Sequence, residues 1–113
     1  MLKKQQRLNI GQTKGLKFVF NNKYFTVKIK ENGLLFFRVG VIISSRVLPS
    51  AVKRNNLKRE IFRFGVNNEI FKRFNGKDLL IICLPAIVEL VNEGLSKNSK
   101  KKLNEELKNV LSF

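Results

Sequence analysis

The sequence predicts an α+β fold: a two-layer α/β sandwich with a small mixed sheet and the element order α-β-β-α-β-α. Three observations support this class. Residues 23–30 alternate between apolar and polar side chains, as a half-buried strand does. Leu57, Ile61 and Phe64 recur at the spacing of an amphipathic helix. Residues 79–84 form a short apolar run that Pro85 ends, which is typical of a buried strand.

The first predicted strand, residues 23–30, has two different faces. Phe25, Val27 and Ile29 point to one side, and the polar face holds Tyr24, Thr26, Lys28 and Lys30. Asn32-Gly33 favours a tight hairpin to a second strand, residues 34–44. The first two strands are therefore expected to pair, with the strand at 79–84 as the third.

The predicted helices follow from start and stop signals. Pro49 and Ser50 are expected to open the main helix, which runs to about residue 64. Helical patterning resumes over residues 69–74, and a short helix is expected within 86–94. The last helix spans 99–111, with Ser99 as its N-cap and an apolar stripe of Leu103, Leu107, Val110 and Leu111. A short helix is also expected within residues 9–22, after a mobile basic arm at residues 1–8.

Composition favours one domain, residues 1–113, that binds a polyanion. The chain has 113 residues, 43% of them hydrophobic, and a formal net charge of +15. So positive a surface suits nucleic acid first and an anionic membrane surface second. No apolar run approaches the ~20 residues that span a bilayer, and no signal peptide is visible, so we expect a cytoplasmic protein without a membrane partner. Cys83, the single cysteine, is expected to be a buried core residue.

The residue types that are missing exclude several kinds of catalyst. The chain has no histidine and only one aspartate, Asp78. The usual Cys/His zinc sites and histidine-dependent triads therefore cannot be built. Its eight carboxylates are scattered, and the adjacent pair Glu105-Glu106 would diverge by about 100° on a helix. A metal-dependent nuclease acting alone is accordingly the least favoured function.

The main helix concentrates cations and amides. Arg59 and Arg63 project opposite its apolar stripe, and Asn55 lies one turn earlier on the same side. Lys58 and Arg54 flank the boundary. Guanidinium forks and amides on a rigid helix suit phosphates and base edges, which predicts an RNA interface rather than only a solvated helix face.

These residues also resemble a known family. Ala51-Val52-x-Arg54-Asn55-x-x-Lys58-Arg59 resembles the signature helix of the bacterial ribonuclease P protein subunit, A-V-x-R-N-R-x-K-R. Residues 37–44 are similar to that family's R-V-G-containing strand, and residues 78–86 to its next strand and Pro-Ala ending. The chain departs from the pattern at Asn56, which stands in place of the second arginine of the signature.

The resemblance implies a fold like domain 2 of ribosomal protein S5, with a left-handed βαβ crossover. It implies a monomeric, non-catalytic subunit of the ribonuclease P ribonucleoprotein, in which the RNA subunit cleaves precursor tRNA and holds Mg²⁺. The predicted contacts to this RNA are Arg46, Lys53, Arg54, Asn55, Lys58, Arg59 and Arg63. The predicted cleft for the 5′ leader of precursor tRNA is lined by Leu16, Phe20, Tyr24, Thr26 and Lys28.

Some assignments and alternatives stand beside this interpretation. Phe18, Phe36 and Phe37 are assigned to packing. The cluster at Lys100, Lys101 and Lys102 is assigned to non-specific electrostatics. A ribosomal protein or general RNA chaperone would share the basic composition, and a peripheral protein of anionic membranes would bind vesicles in competition with RNA.

Overall fold

The computed structural model describes residues 3–8, 14–91 and 96–112. Their elements, in chain order, are the strands β1 (Lys17–Asn21), β2 (Phe25–Glu31) and β3 (Arg38–Ile42), helix α1 (Ala51–Asn67), strand β4 (Lys77–Cys83), the one-turn helix α2 (Val88–Val91) and helix α3 (Lys97–Val110). Short 3-10 turns occur at Lys4–Gln6, Phe71–Phe74 and Pro85–Ile87. The predicted class, a small mixed sheet covered by helices, is confirmed.

The four strands form one sheet in the order β1-β2-β4-β3. β2 pairs antiparallel with both β1 and β4, and β3 pairs parallel with β4. α1 connects the neighbouring parallel strands β3 and β4, and this is the βαβ unit that the family resemblance implies.

The predicted hairpin between residues 23–30 and 34–44 is wrong, because β4 lies between β2 and β3. A tight type I′ turn needs positive φ at both central residues. Here Gly33 has a positive φ of 70°, but the φ of Asn32 is not positive. Asn32 instead accepts a hydrogen bond from the Leu34 backbone N–H, 2.8 Å between N and Oδ1, in a local turn. The hairpin of this sheet joins β1 and β2.

The predicted short helix within residues 9–22 is wrong over Lys17–Asn21, which form β1. Residues 9–13 of that prediction lie outside the described part of the chain. β1 pairs with β2 through a bulge between Phe18 and Phe20. Leu16 and Phe20 have helical spacing, but pairing with an available strand edge overrides this weak local preference.

One face of the sheet packs against the helices. Phe25, Val27, Leu79 and Ile81 on this face are all fully buried, together with Leu57 and Ile61 of α1. Leu103, Leu107 and Val110 of α3 and its C-cap residue Leu111 complete the core, as their spacing predicted. Cys83 is buried here as expected. Burial raises the pKa of its thiol to about 12, with the nearby Lys58 charge acting in the opposite direction.

The predicted N-cap of α1 is confirmed, whereas that of the last helix is not. Ser50 caps α1, and its hydroxyl accepts a hydrogen bond from the Lys53 N–H at 3.2 Å. The predicted cap of the last helix is wrong: Ser96, not Ser99, is the N-cap of α3, and Ser99 donates its backbone N–H to the Ser96 hydroxyl. Both serines stood within one turn of the start, and only the backbone path selects between them.

The main helix was predicted to run to about residue 64, whereas α1 continues through Gly65 to Asn67. Gly65 is buried against the ring of Phe71, and a β-carbon at this position would lie 2.1 Å from Phe71 Cζ. The absence of a side chain therefore allows the turn after α1 to fold back onto the helix.

A buried polar cluster closes one end of the sheet. Asp78 of β4 is fully buried, and Arg38 of β3 donates to both its oxygens, 2.7 Å from Nε to Oδ1 and 2.8 Å from Nη2 to Oδ2. Asn32 Nδ2 donates to the same Oδ1 at 3.1 Å. Lys30 of β2 places Nζ 3.8 Å from Oδ2. The hydrogen bonds to Asp78 raise the pKa of Arg38, which stays charged.

The segment before the sheet was predicted to include a mobile basic arm at residues 1–8. Arg7 forms a parallel bridge to Val39, and the Leu8 N–H donates to the Val39 carbonyl at 2.8 Å. Arg7 and Leu8 therefore lie along the free edge of β3. In the described part of the chain, no helix is both long and apolar enough to cross a membrane.

Replacing Gly65 by alanine is expected to lower the free energy of unfolding by about 2 kcal/mol, because the ring of Phe71 must be displaced. Alanine introduced at an exposed helix position stabilises, since it has the highest helix propensity, so Asn67→Ala at the exposed end of α1 is the control. Chemical denaturation measures both. The cost should shrink in a Phe71→Leu background, and a Gly65→Ala protein at least as stable as the parent would contradict the packing described.

Replacing Asp78 by alanine should lower the free energy of unfolding by about 3 kcal/mol, because it leaves Arg38 half-buried without its partner. The control is Glu69→Ala, which breaks the exposed ion pair to Lys72 and should change stability by less than about 1 kcal/mol. Urea unfolding of the two variants gives the comparison. Equal losses would show that the buried cluster has no special role.

Candidate nucleic-acid interface

The exposed face of α1 is the first candidate surface. Its members are Val52, Lys53, Asn55, Asn56, Arg59 and Arg63, all exposed along one side of the helix. The opposite side is fixed in the core by Leu57 and Ile61. We call this surface the α1 face. As predicted, it presents Arg59 and Arg63 away from the apolar stripe.

Arg54 is less available for contact with RNA than its place in the signature predicts. It is half-buried, and its Nη1 donates to the carbonyls of Leu48 and Pro49, 2.8 Å in each case. These bonds fasten the loop before α1 onto the first turn of the helix. Arg46, in the same loop, is exposed. Arg54 therefore has a structural role in addition to any contact with RNA.

Lys58 also differs from the rest of the set. It is half-buried on the flank of α1, close enough to Cys83 for its charge to influence the thiol. The structure thus distributes the predicted RNA contacts over three locations. Lys53, Asn55, Arg59 and Arg63 share the α1 face, whereas Arg54 and Lys58 lie at its border and Arg46 in the preceding loop.

A buried acid organises the cations at one edge of the α1 face. Glu60 is 5% exposed and holds Arg63, whose Nε lies 3.1 Å from Oε1. Lys100 of α3 places its Nζ 3.9 Å from the same oxygen. The hydrogen bonds to Glu60 raise the pKa of Arg63. A cavity of about 400 Å³ opens here, lined by Asn56, Arg59, Glu60, Arg63 and Lys100.

The sheet face turned away from the helices is the second candidate surface, here called the open face. Its register places Phe18 of β1 opposite Lys28 of β2, and Thr26 opposite Ile82 of β4. Ile42 of β3 is 42% exposed on this face. Leu8 covers part of it, because a β-carbon on Gly40 would lie 3.1 Å from Leu8 Cβ.

Only some of the residues predicted for the leader cleft lie on the open face. Thr26 and Lys28 lie on the open face and are half-buried. Leu16 is half-buried just before β1, and Phe20 is 44% exposed at the position paired with Val27. The predicted place of Tyr24 on the polar face is wrong. Tyr24 precedes β2, is 8% exposed and packs in the core, since the chain turns there and the strand alternation has not begun.

Phe18 is the functional candidate that sequence reasoning missed. Its assignment to packing is wrong, because 59% of its surface is exposed beside Lys28. Recognising residues 17–21 as a strand would have revealed it, since Phe18 then falls on the face of Lys28. Phe37 is buried as assigned, at 7% exposure, and Phe36 is half-buried.

Residues 2–108 match the sequence model of a family described as Ribonuclease P. The chain belongs to this family. A ribonuclease P protein component of Thermotoga petrophila is 33% identical over 92 residues, which cover 79% of this chain and 61% of that protein. The chain thus spans about three-fifths of the length of this curated relative.

Solved ribonuclease P proteins share the fold. The protein from Thermotoga maritima superposes with a TM-score of 0.74 and 25% identity, over 93% of this chain and 94% of that one. A Staphylococcus aureus ribonuclease P protein, a mutant with defective mRNA degradation activity, gives a TM-score of 0.72 at 23% identity. Its match covers 96% of this chain and 86% of the mutant. This second likeness supports the fold alone.

Proposed function

We propose that this chain is the protein subunit of ribonuclease P, a monomer within a cytoplasmic ribonucleoprotein whose RNA removes the 5′ leader of precursor tRNA. The observation that carries the proposal is the α1 face. It lies on the helix whose residues match the family signature, and its cations are fixed by a rigid, half-buried element. Within the described residues, Lys53 and Arg59 form no ion pair, so both are available for phosphates.

The protein is proposed to bind and position RNA rather than to cleave it. The two buried acids in the described part of the chain are already engaged, Asp78 with Arg38 and Glu60 with Arg63. Among the described residues, no group of three or more histidine, cysteine, aspartate or glutamate side chains could hold a metal ion. We therefore assign Mg²⁺, which would stabilise the charge developing during phosphodiester hydrolysis, to the RNA subunit.

The open face is proposed to bind the leader of precursor tRNA. Phe18 offers an exposed ring on which a single-stranded base can stack, and Lys28 beside it offers a cation for the backbone. Stacking tolerates any base, so such a surface suits leaders of varied sequence. Two faces of one small domain would then serve two RNA partners.

The double variant Lys53→Ala/Arg59→Ala should bind ribonuclease P RNA about tenfold more weakly. Its plot of log K against log salt concentration should be shallower by about 1.5, since each lost phosphate contact removes roughly 0.7–0.9 of slope. Filter binding over a salt series measures both quantities. Arg54 is left intact because it also holds the preceding loop.

The control for that experiment is Lys23→Ala/Lys72→Ala, which removes the same charge from exposed ion pairs away from the α1 face. Equal effects of the two double variants would overturn the assignment of the α1 face. A parent protein that binds ribosomal RNA as tightly as ribonuclease P RNA at physiological salt would instead favour a general RNA-binding protein.

Phe18→Ala should weaken binding of precursor tRNA to the reconstituted ribonucleoprotein by about 1–3 kcal/mol, the range for one stacked base, and leave mature tRNA unaffected. Leu35→Ala is the matched control, because Leu35 is 97% exposed in a turn. Competition binding with the two tRNA forms provides the measurement. An equal loss for both forms would show that Phe18 does not contact the leader.

A further inference from the structure

The lysines of α3 are not spread evenly around the helix. Lys97, Lys101 and Lys108 fall on one flank of the buried stripe, at the i, i+4, i+11 spacing that keeps residues on one side of a helix. Lys100 lies nearer to α1, where its Nζ approaches Glu60. This flank faces the end of α1, which contributes Phe64 to the same groove.

The sequence cluster Lys100-Lys101-Lys102 is therefore divided by the fold. Lys102 lies on the other flank of α3 and pairs with Glu106, 3.5 Å between Nζ and Oε1. Lys97, Lys101 and Lys108 form no ion pair within residues 3–8, 14–91 and 96–112. A single assignment of the cluster to non-specific electrostatics does not describe two such different environments.

The unpaired flank borders a groove of about 750 Å³ between α3 and the end of α1. Its polar lining includes Lys97, Lys100, Lys101, Asn104 and Lys108, against one carboxylate, that of Glu105. We call this groove the α1–α3 seam. Lys100 also lines the smaller cavity beside Arg59 and Arg63. The seam is thus continuous with the α1 face, and Glu60 lies at their junction.

This placement of charge works against the helix that bears it. Lys97 and Lys100 in the first turn of α3 oppose the helix dipole, and like charges three or four residues apart repel, whereas Lys108 lies in the last turn, where the dipole favours a cation. Within the described residues, Glu60 pairs with Lys100 alone among these lysines, and Glu105, the one carboxylate that lines the groove, forms no ion pair with them. An arrangement that lowers helix stability and leaves four cations along a groove indicates a polyanionic ligand, because bound phosphates would remove the repulsion.

We infer that the α1–α3 seam is a second contact surface for the catalytic RNA, seating a stretch of its phosphate backbone that continues from the α1 face. Lys97 to Lys108 spans about 16 Å along α3 at 1.5 Å per residue, which suits a strand segment rather than a single phosphate. The inference rests on the proposed function and adds a surface to it. Precursor tRNA is not the expected occupant, because the seam lies among the helices and the open face on the other side of the sheet.

The test compares two triple variants that lower the net charge by the same amount. Lys97→Ala/Lys101→Ala/Lys108→Ala removes the three unpaired lysines of the seam. The control Lys23→Ala/Lys72→Ala/Lys102→Ala removes lysines that form ion pairs elsewhere. Affinity for ribonuclease P RNA is measured over a salt series. The seam variant should bind at least tenfold more weakly at physiological salt, with a salt slope shallower by about 2. The control variant should keep most of the affinity and most of the salt slope of the parent.

Two further measurements keep the outcome unambiguous. Lys97→Arg/Lys101→Arg/Lys108→Arg preserves the charge and should bind like the parent. Thermal melting should show the alanine seam variant at least as stable as the parent, because repulsion in α3 is relieved. A loss of affinity that accompanies unfolding, and that arginine does not restore, would overturn the inference.

The inference and the proposed function fail in different ways. If the parent discriminates ribonuclease P RNA from ribosomal RNA but the seam and control variants bind equally well, only the seam is overturned. The same holds if the seam variant loses precursor tRNA and keeps ribonuclease P RNA. If the parent itself shows no preference for ribonuclease P RNA, the proposed function fails and the seam inference falls with it.

Discussion

The buried carboxylate of Asp78 is the constraint on which the sheet depends. A charge this deep in a protein is tolerated only with close partners, and Asp78 takes them from β2, β3 and the turn between these strands. It can be satisfied only if β4 enters between β2 and β3. Once β4 is central and parallel to β3, α1 must cross the covered face of the sheet, and its cations then point away from the core.

Glu60 has a similar burial and a different consequence. The partners of Asp78 come from the sheet strands and the turn after β2, and the cations among them, Lys30 and Arg38, are half-buried. Glu60 lies at the contact between α1 and α3 and attracts Arg63 from one helix and Lys100 from the other. Because these two cations extend to the surface, the acid gathers positive charge at the junction of the α1 face and the seam. The buried carboxylate of Glu60 thereby determines where two surface cations lie in a chain with a net charge of +15.

The sheet separates the two proposed RNA surfaces. Its covered face packs against the described helices α1, α2 and α3, so the basic surfaces of α1 and α3 belong to one side of the molecule. The open face holds Phe18 and Lys28, and among the described residues Leu8 covers part of it at the edge of β3. A partner on the helical side and a single strand on the open side can bind at the same time without competing for residues. Under the proposed function, one domain of this size would bridge two RNA molecules.

Sequence alone determined the elements whose signals are local: the alternation of β2, the periodicity and Ser50 cap of α1, the apolar run of β4 and the excess of cations. Tertiary structure decided which strands pair, that residues 17–21 join the sheet, that Tyr24 turns inward while Phe18 stays exposed, and which lysines of α3 meet α1. The physical reason is that periodicity fixes the face on which a side chain lies, whereas its neighbours depend on contacts between residues far apart in the chain. Asp78 and Lys30 become partners only because β4, some fifty residues after β2 in the chain, pairs with β2 in the sheet.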